Sequence, residues 1–519
     1  MAVRRDARWV LAVDLGTGGP KVGLVSTRGE QAVVEHLGVA TRVLPGGGSV
    51  QDAAGWWDAV RSAARRVVGS GAVDPAGIVA VSCTGQWAST VPVDADGRPV
   101  GDCLLWSDTR GGRHTRAAIG GPAAGYAPAA ALRWIRRSGG APSLSGADPV
   151  GHMLALEHDL PDVAAAARWY LEPVDYLTMR FTGVAAATHA SMSAAWLTDN
   201  RRLDVLAYDS VLVGRAGVPA AKLPPLVPFG AVVGEVRAAV AADLGLPPGV
   251  RVVAGTPDLH SAAAGSGAVG RHQAHVCIST TSWVSCPVTA KKTAPFRQIA
   301  TVPGLTGDSY LVADNHDTGG RALEWARDLL VAGPRPELGA LTAAAAEVAP
   351  GSGGVLFTPW LSGERTPVDD PFARGGFHNL SLGTSRSQLV RAVLEGVAFN
   401  CRWLYEAVES FVGQRLETTR VLGGGAVSDL WCRIHADVLD RTVERVADPV
   451  TANLRGSALL AGLALGDVTA GEVRGCVAVD GVFEPDPANR GTYDALFAEF
   501  PRLYRAQKPL FRALNRGRA

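Results

Sequence analysis

An aspartate that ends a short apolar run and is followed at once by glycines can hold a phosphate group or its metal. The chain carries this pattern near its start, where Trp9–Val13 leads into Asp14, Gly16-Thr17-Gly18-Gly19 and Lys21. Glycines let backbone N–H groups approach an anion closely, Thr17 adds a hydroxyl donor and Lys21 a point charge. Asp14 could hold Mg2+, a cation that keeps several waters and uses few protein carboxylates. The same residues also read as an ordinary hairpin turn with a capping aspartate, since short glycine motifs recur by chance. A second aspartate, Asp258, follows the apolar run Val250–Ala254 and precedes a helix of small residues. A carboxylate there can accept the proton of a bound alcohol, cap the helix, or do both. Four consecutive hydroxyl residues, Ser279-Thr280-Thr281-Ser282, could donate to phosphate oxygens or form a plain polar turn. Gly423-Gly424-Gly425 opens a helix and would let a ligand lie flat against backbone.

Short strands and turns position these residues. Trp9–Val13 and Val22–Ser26 read as strands joined by the turn between them. Residues 54–69 carry Trp56, Trp57, Val60, Ala64, Val67 and Val68 at helical spacing. Ile78–Ser82 returns to strand, and helices are predicted over 127–138, 151–168 and 173–181. The second half echoes this order. Val250–Ala254, His275–Ser279 and Trp283–Val288 read as strands around the hydroxyl-rich turn. Helices follow over 319–331, 337–348, 386–412, 426–440 and 451–465. The proline-rich segments 223–228 and 246–249 put a domain junction in 210–254, which gives domains 1–254 and 255–519.

Composition narrows the function classes. A chain of 519 residues exceeds one ordinary domain, with about two to four expected. Fifty Lys+Arg against 49 Asp+Glu give no global electrostatic case for nucleic acid or an anionic membrane. The seven cysteines are scattered and lack C-x-x-C spacing, which fits a reducing compartment and argues against a zinc site. No run approaches the roughly 18 apolar residues of a membrane helix. The run before Asp14 is too short for a signal sequence. A cytoplasmic location is therefore expected. The chain lacks a G-x-S-x-G elbow and a Walker-type loop, and Gly16-x-Gly18 lacks the helix and acidic residue of a dinucleotide site.

Taken together, these segments resemble the FGGY carbohydrate kinases, closest in layout to the xylulokinase-like branch, over about residues 8–470. The most specific piece is Gly375-Gly-Phe-His-Asn-Leu380, seven residues, then Gln388-Leu-Val-Arg-Ala-Val-Leu-Glu395, which fits the C-terminal family signature except at Asn379. Asp14-Leu-Gly-Thr17 with Lys21 looks like the first phosphate motif, and Thr256-Pro-Asp258 with Gly265-Ser-Gly267 like the catalytic segment. Leu422–Ala426 with Ser428 and Trp431 looks like the adenosine motif. Leu105-Trp106-Ser-Asp108 and Asp175-Tyr176-Leu177 also match.

The resemblance implies an α/β fold of two duplicated ribonuclease H-like domains, of actin and hexokinase type, with a cleft between them. It implies a sugar-binding domain over 1–254 and a nucleotide-binding domain over 255–519. The activity it implies is Mg2+- and ATP-dependent phosphoryl transfer to a sugar hydroxyl, with a pentulose such as xylulose as acceptor. Asp258 would be the catalytic base and Asp14 would orient the metal. Thr17, Lys21 and Thr280 would contact phosphates. Gly320, Glu324, Gly425 and Asp429 would line the nucleoside pocket. Gln86 and Trp87 would meet the sugar, and a homodimer is plausible. This chain departs from the family in having Ser279-Thr-Thr-Ser282 for Gly-Thr-Ser-Gly, Gln86-Trp87-Ala88 for Gln-Met-His, and Leu259 for Asn after the catalytic aspartate. A sugar acid or another polyol as acceptor, and a non-catalytic binding relative, are the alternatives.

Overall fold

The computed structural model describes residues 7–123, 125–331 and 336–516. Two sheets organise it. The first has six strands, β1 (Trp9–Gly16), β2 (Gly19–Ser26), β3 (Gln31–His36), β4 (Ile78–Gly85), β5 (Val232–Glu235) and β6 (Arg251–Pro257), in the order β5-β6-β4-β1-β2-β3. β1, β2 and β3 form an antiparallel meander, β4 lies parallel to β1, and β6 lies parallel to β4 with β5 antiparallel at its edge.

The second sheet repeats the plan with β7 (Ala274–Ile278), β8 (Ser282–Ser285), β9 (Thr418–Leu422), β10 (Thr442–Val446) and β11 (Val479–Phe483), in the order β8-β7-β9-β10-β11. β7 and β8 are a hairpin, β9 and β10 add parallel strands, and β11 closes the edge antiparallel. The doubled plan agrees with the expected pair of related α/β domains. β1 is buried on both faces for nearly its whole length, as a central strand flanked by helices must be, which accounts for its unbroken apolar run.

Helices cover the sheets through apolar stripes. α1 (Ala53–Val68) is capped by Asp52, whose side chain accepts from the Ala54 N–H, and it buries Trp56, Trp57 and Val60. α2 (Asp258–Ser266) follows β6 directly, and α3 (Arg321–Leu330) follows the second hairpin. α4 (Arg386–Val412) starts in a capping box between Ser385 and Gln388 and ends at Gly413, whose φ is 76°. α5 (Asp429–Leu439), α6 (Ala452–Leu465) and α7 (Pro487–Asn515) complete the second half. The helix expected over 151–168 is two, Pro149–Asp159 and Pro161–Ala166. Pro161 has no N–H and disfavours helical backbone at the residue before it, so Leu160 breaks the run.

The two halves meet through α6. Leu454, Ala458 and Ala461 of α6 join Val10, Ala12, Val25, Ala80 and Val253 of the first sheet in one apolar cluster. α6 also crosses α2 so closely that a Cβ on Gly456 would lie 1.8 Å from the Ser261 carbonyl oxygen, and one on Gly265 1.9 Å from that of Ala452. The Ser457 hydroxyl donates to Ser82 of β4 at 2.8 Å and the Thr84 hydroxyl to Ser261 of α2 at 2.8 Å. The proline-rich stretch 210–254 does not part the sheets, because β5 and most of β6 lie in it and both belong to the first. The position between 254 and 255 falls inside β6.

Candidate active site

The strand registers decide where the two aspartates stand. Asp14 on β1 lies opposite Thr84 of β4. On the other flank of β4, Thr256 lies opposite Thr84 and Pro257 opposite Gly85. Asp258 is the next residue, so both carboxylates leave the carboxyl ends of parallel strands at one level of one sheet. Ligands of open α/β sheets bind at that edge. The charge of Asp14 reaches Asp258: burial pushes the Asp258 carboxyl up to about 7, and Asp14 adds to the rise. Asp258 is the first residue of α2, with Pro257 in the cap position. The capping role open to it from sequence is therefore not the one it takes. Its Oδ1 accepts from the Leu259 N–H at 2.8 Å.

Asp14 is 3% exposed. Lys21, its cross-strand neighbour on β2, places Nζ 3.2 Å from Asp14 Oδ2. Gly16 pairs with Gly19, so Thr17-Gly18 is a two-residue turn held out to solvent. Gly19 has φ 127°, and a Cβ there would stand 2.0 Å from the Leu37 carbonyl oxygen, so the turn needs glycine at that place. The Thr17 hydroxyl and the Gln86 side-chain oxygen are 3.5 Å apart, and the indole N–H of Trp106 reaches the same hydroxyl at 3.4 Å. Gln86 is buried; its N–H donates to the Leu15 carbonyl and its amide to Gln51.

Trp87 stands between the two readings open to it. Its indole N–H donates to the Ser191 carbonyl at 2.8 Å, and its ring meets that of His260 edge-on at 6.4 Å. It also packs beside Leu259 and Ala263 of α2, the helix that Asp258 begins. The ring is thus held in place against the helix that Asp258 begins.

The second hairpin brings the nucleotide-type residues together. Ile278 pairs with Ser282, leaving Ser279-Thr280-Thr281 as the turn. Gly319 N–H donates to the Thr280 carbonyl at 2.9 Å and Gly320 N–H to the Ser279 carbonyl at 2.5 Å. A Cβ at Gly320 would stand 2.9 Å from that oxygen, and one at Gly425 2.3 Å from Ile278 Cγ2. Thr280, Gly320 and Gly425 therefore surround the end of β7. None of Ser279–Ser282 adopts a positive φ, so the lost family glycines do not strain this turn. Ser282 instead hydrogen-bonds His316 at 3.1 Å, a contact sequence reasoning missed because 34 positions separate the two. Glu324 is exposed on α3, one turn past Gly320, and Asp429 at the start of α5 pairs with Arg445 at 2.5 Å. The two groups adjoin: the thiol of Cys277, at the end of β7, is raised by burial first and then by the charges of Asp258 and Asp14.

The perturbed Asp258 has a consequence for stability. A carboxyl whose folded pKa is raised favours the fold at low pH, and that contribution is lost as pH rises toward about 7. Replacing Asp258 by Asn removes the burdened charge. Thermal unfolding is expected to show Asp258→Asn above wild type at pH 8, with the gap shrinking at pH 5. A gap independent of pH would contradict the assigned environment.

The N-terminal domain of the FGGY family of carbohydrate kinases matches residues 9–265 and its C-terminal domain residues 279–465. Xylulose kinase of Streptomyces rubiginosus is 30% identical over 471 residues, covering 90% of each chain. Xylulose kinase of Staphylococcus epidermidis is 26% identical over 511 residues, 96% of this chain and 97% of that one. The crystal structure of xylulose kinase from Rhodospirillum rubrum superposes with a TM-score of 0.82 at 26% identity, over 97% of this chain and 100% of the other. With both domain descriptions matched in order along a doubled α/β fold, the chain belongs to the FGGY family of carbohydrate kinases.

Proposed function

We propose that the protein transfers the γ-phosphoryl group of ATP to a hydroxyl of a pentulose such as xylulose, with Asp258 as the base that accepts the hydroxyl proton. The observation that carries this reading is the pair Asp14 and Asp258 on either flank of β4, the second of them shifted to about 7. A general base works best with a pKa near the operating pH. In phosphoryl transfer most of the rate comes from positioning and from neutralising charge. Thr17 and Thr280 sit on the two hairpin turns, and Lys21 on β2 beside the first of them; all three would face the phosphates. Gly320, Glu324, Gly425 and Asp429 would line the nucleoside pocket. Gln86 and Trp87 would meet the acceptor.

Asp14 suits Mg2+. Among the described residues no cluster of three or more metal-binding side chains exists. A site built on one buried carboxylate is what Mg2+ takes when substrate phosphates and water complete its shell. The ion would neutralise phosphate charge, and Asp14 would orient it. The first domain is taken to run through the end of β6, a few residues past 254/255, and the α2–α6 crossing is the articulation. No helix among the described residues is long and apolar enough to cross a membrane. The family resemblance supports a cytoplasmic homodimer.

A coupled ADP-release screen over ketopentoses, ketohexoses, polyols and aldonic acids tests the reading. Turnover is expected with one acceptor group and only with Mg2+ present; binding without turnover on every acceptor would leave a non-catalytic relative. Two further results are expected. Lys21→Met should lower kcat/KM for ATP by about 10- to 100-fold, the loss of one charge-assisted phosphate contact. The kcat/KM for the acceptor should fall as pH drops below about 7, since protonated Asp258 cannot accept a proton. A profile flat from pH 5 to 8 would contradict that assignment.

A further inference from the structure

The two halves meet a second time, away from α6. A sheet of four short strands, Pro287–Val288, Thr293–Ala294, Ile299–Pro303 and Tyr310–Ala313, follows the second hairpin. Three side chains of this sheet and its turns cross to the first half. Lys291 Nζ donates to the Ile135 carbonyl at 2.8 Å, the Thr293 hydroxyl to that of Gly139 at 2.7 Å, and the Tyr310 hydroxyl to that of Asn200 at 2.8 Å. All three acceptors are main-chain oxygens. Ile135 lies in the last turn of the helix Pro128–Arg137, where carbonyls have no partner within the helix. Asn200 closes the same helix end from inside the first half: its N–H donates to the Arg137 carbonyl at 3.0 Å and its side-chain amide to that of Ser138 at 2.8 Å. Both Tyr310 and Asn200 are buried. Lys291 is half-buried and forms no ion pair among the described residues; burial lowers its ammonium to about 8. A cation withdrawn from water is costly, and the Ile135 carbonyl is the partner that offsets the cost.

These contacts lead to the acceptor side by two routes. The segment that ends at Asn200 begins at Ser191, whose carbonyl takes the Trp87 indole N–H. Partway along it, the Trp196 carbonyl takes the indole N–H of Trp134, on the helix whose end Lys291 holds. The second route runs through Pro303, which stands opposite Tyr310 in the sheet. The Pro303 carbonyl takes the His260 ring N–H at 2.7 Å, and His260 lies two residues past Asp258 on α2. One strand pair therefore bears both on the support of Trp87 and on the helix of Asp258. We propose that Tyr310 and Lys291 are positioning residues for the acceptor: they clasp the stretches 135–140 and 191–200 of the first half to the second, and so fix where Trp87 stands relative to Asp258. The half that carries the nucleotide-type residues thereby helps to build the acceptor site. The inference goes beyond the kinase reading and rests on it for its assay.

The test compares Tyr310→Phe and Lys291→Met with wild type, reading KM for a ketopentose, KM for ATP, kcat and Tm. Tyr310→Phe keeps the ring and removes only the hydroxyl; Lys291→Met keeps most of the stem and removes the donor. Each is expected to raise the ketopentose KM about fivefold, the weight of one hydrogen bond, with KM for ATP within about twofold of wild type. Tyr405→Phe is the control. Its hydroxyl also donates to a main-chain carbonyl, that of Leu416 at 3.0 Å, but wholly within the second half. It is expected to lower Tm about as much as Tyr310→Phe does and to leave the ketopentose KM unchanged, a split that a merely structural role for Tyr310 would not produce. An unchanged ketopentose KM in Tyr310→Phe, equal rises in both KM values, or the same rise in Tyr405→Phe would overturn the proposal while leaving the kinase reading standing. If no acceptor turns over on wild type, the kinase reading fails, and calorimetry of the ketopentose on wild type and Tyr310→Phe decides the positioning role instead. Weaker binding in the variant supports it; equal affinities, or no binding by either, overturn it.

Discussion

Asp258→Asn is expected to lower kcat by about 10² to 10⁴, the range for removal of a general base. The substitution keeps the size and shape of the side chain and removes only its ability to take a proton. KM for ATP should move little, because the nucleotide-type residues cluster around the end of β7 in the other sheet, at Thr280, Gly320 and Gly425. A coupled assay of ADP release under saturating acceptor reads kcat, and a nucleotide titration reads KM. The same variant should be the more stable protein at pH 8, for the reason given by its raised pKa. Loss of activity with gain of stability is the signature of a carboxylate held at a cost for catalysis, and a purely structural aspartate would show loss of both. Normal turnover would remove Asp258 from the reaction.

Gly456→Val is expected to be the most damaging single change at the junction of the two halves. The new Cβ would start 1.8 Å from the Ser261 carbonyl oxygen and 2.8 Å from the Gly265 N, both backbone atoms that no side-chain rotation can move aside. Overpacking of this kind costs about 1–3 kcal/mol or more, and in a domain of this size each kcal/mol lowers Tm by roughly 2–4 °C. A fall of about 6–12 °C is therefore expected at the upper end of that range. Gly471→Val is the control: that glycine is helical too, with nothing within 4 Å of its added Cβ, and helix propensity alone should leave its Tm level or slightly higher. Because α6 rests on the first sheet and crosses α2, the helix that Asp258 begins, activity should fall further than unfolding alone accounts for. Equal melting of the two variants would mean that the helix crossing is not a close-packed joint.

Much of this fold is legible in the chain. The strand–turn–strand units at both hairpins follow from apolar runs bounded by glycine or hydroxyl residues, because buried parallel strands need no alternation and turns need permissive backbone. Asp14 and Asp258 stand out for the same reason, as polar residues that end such runs. Other features depend on pairing between distant segments and leave no local mark. The register that sets Asp14 level with Thr256 through Thr84 joins three strands drawn from residues 9 to 257. The Ser282–His316 bond that steadies a turn without glycines is of this kind, and so is the burial of Glu172, which in sequence is only an acid before a proline-started helix. The single helix expected over 151–168 overlooked Pro161, a local signal that outweighs the apolar spacing on either side.

The account stands or falls on Asp14 and Asp258 serving one phosphoryl transfer. Single and double asparagine substitutions, assayed together for kcat, measure this directly, since residues that act as a unit lose activity non-additively. The double variant is predicted to be no slower than the worse single variant within about threefold. Losses that multiply in full, or near-normal turnover in either single variant, would show that the two carboxylates do not work on the same step.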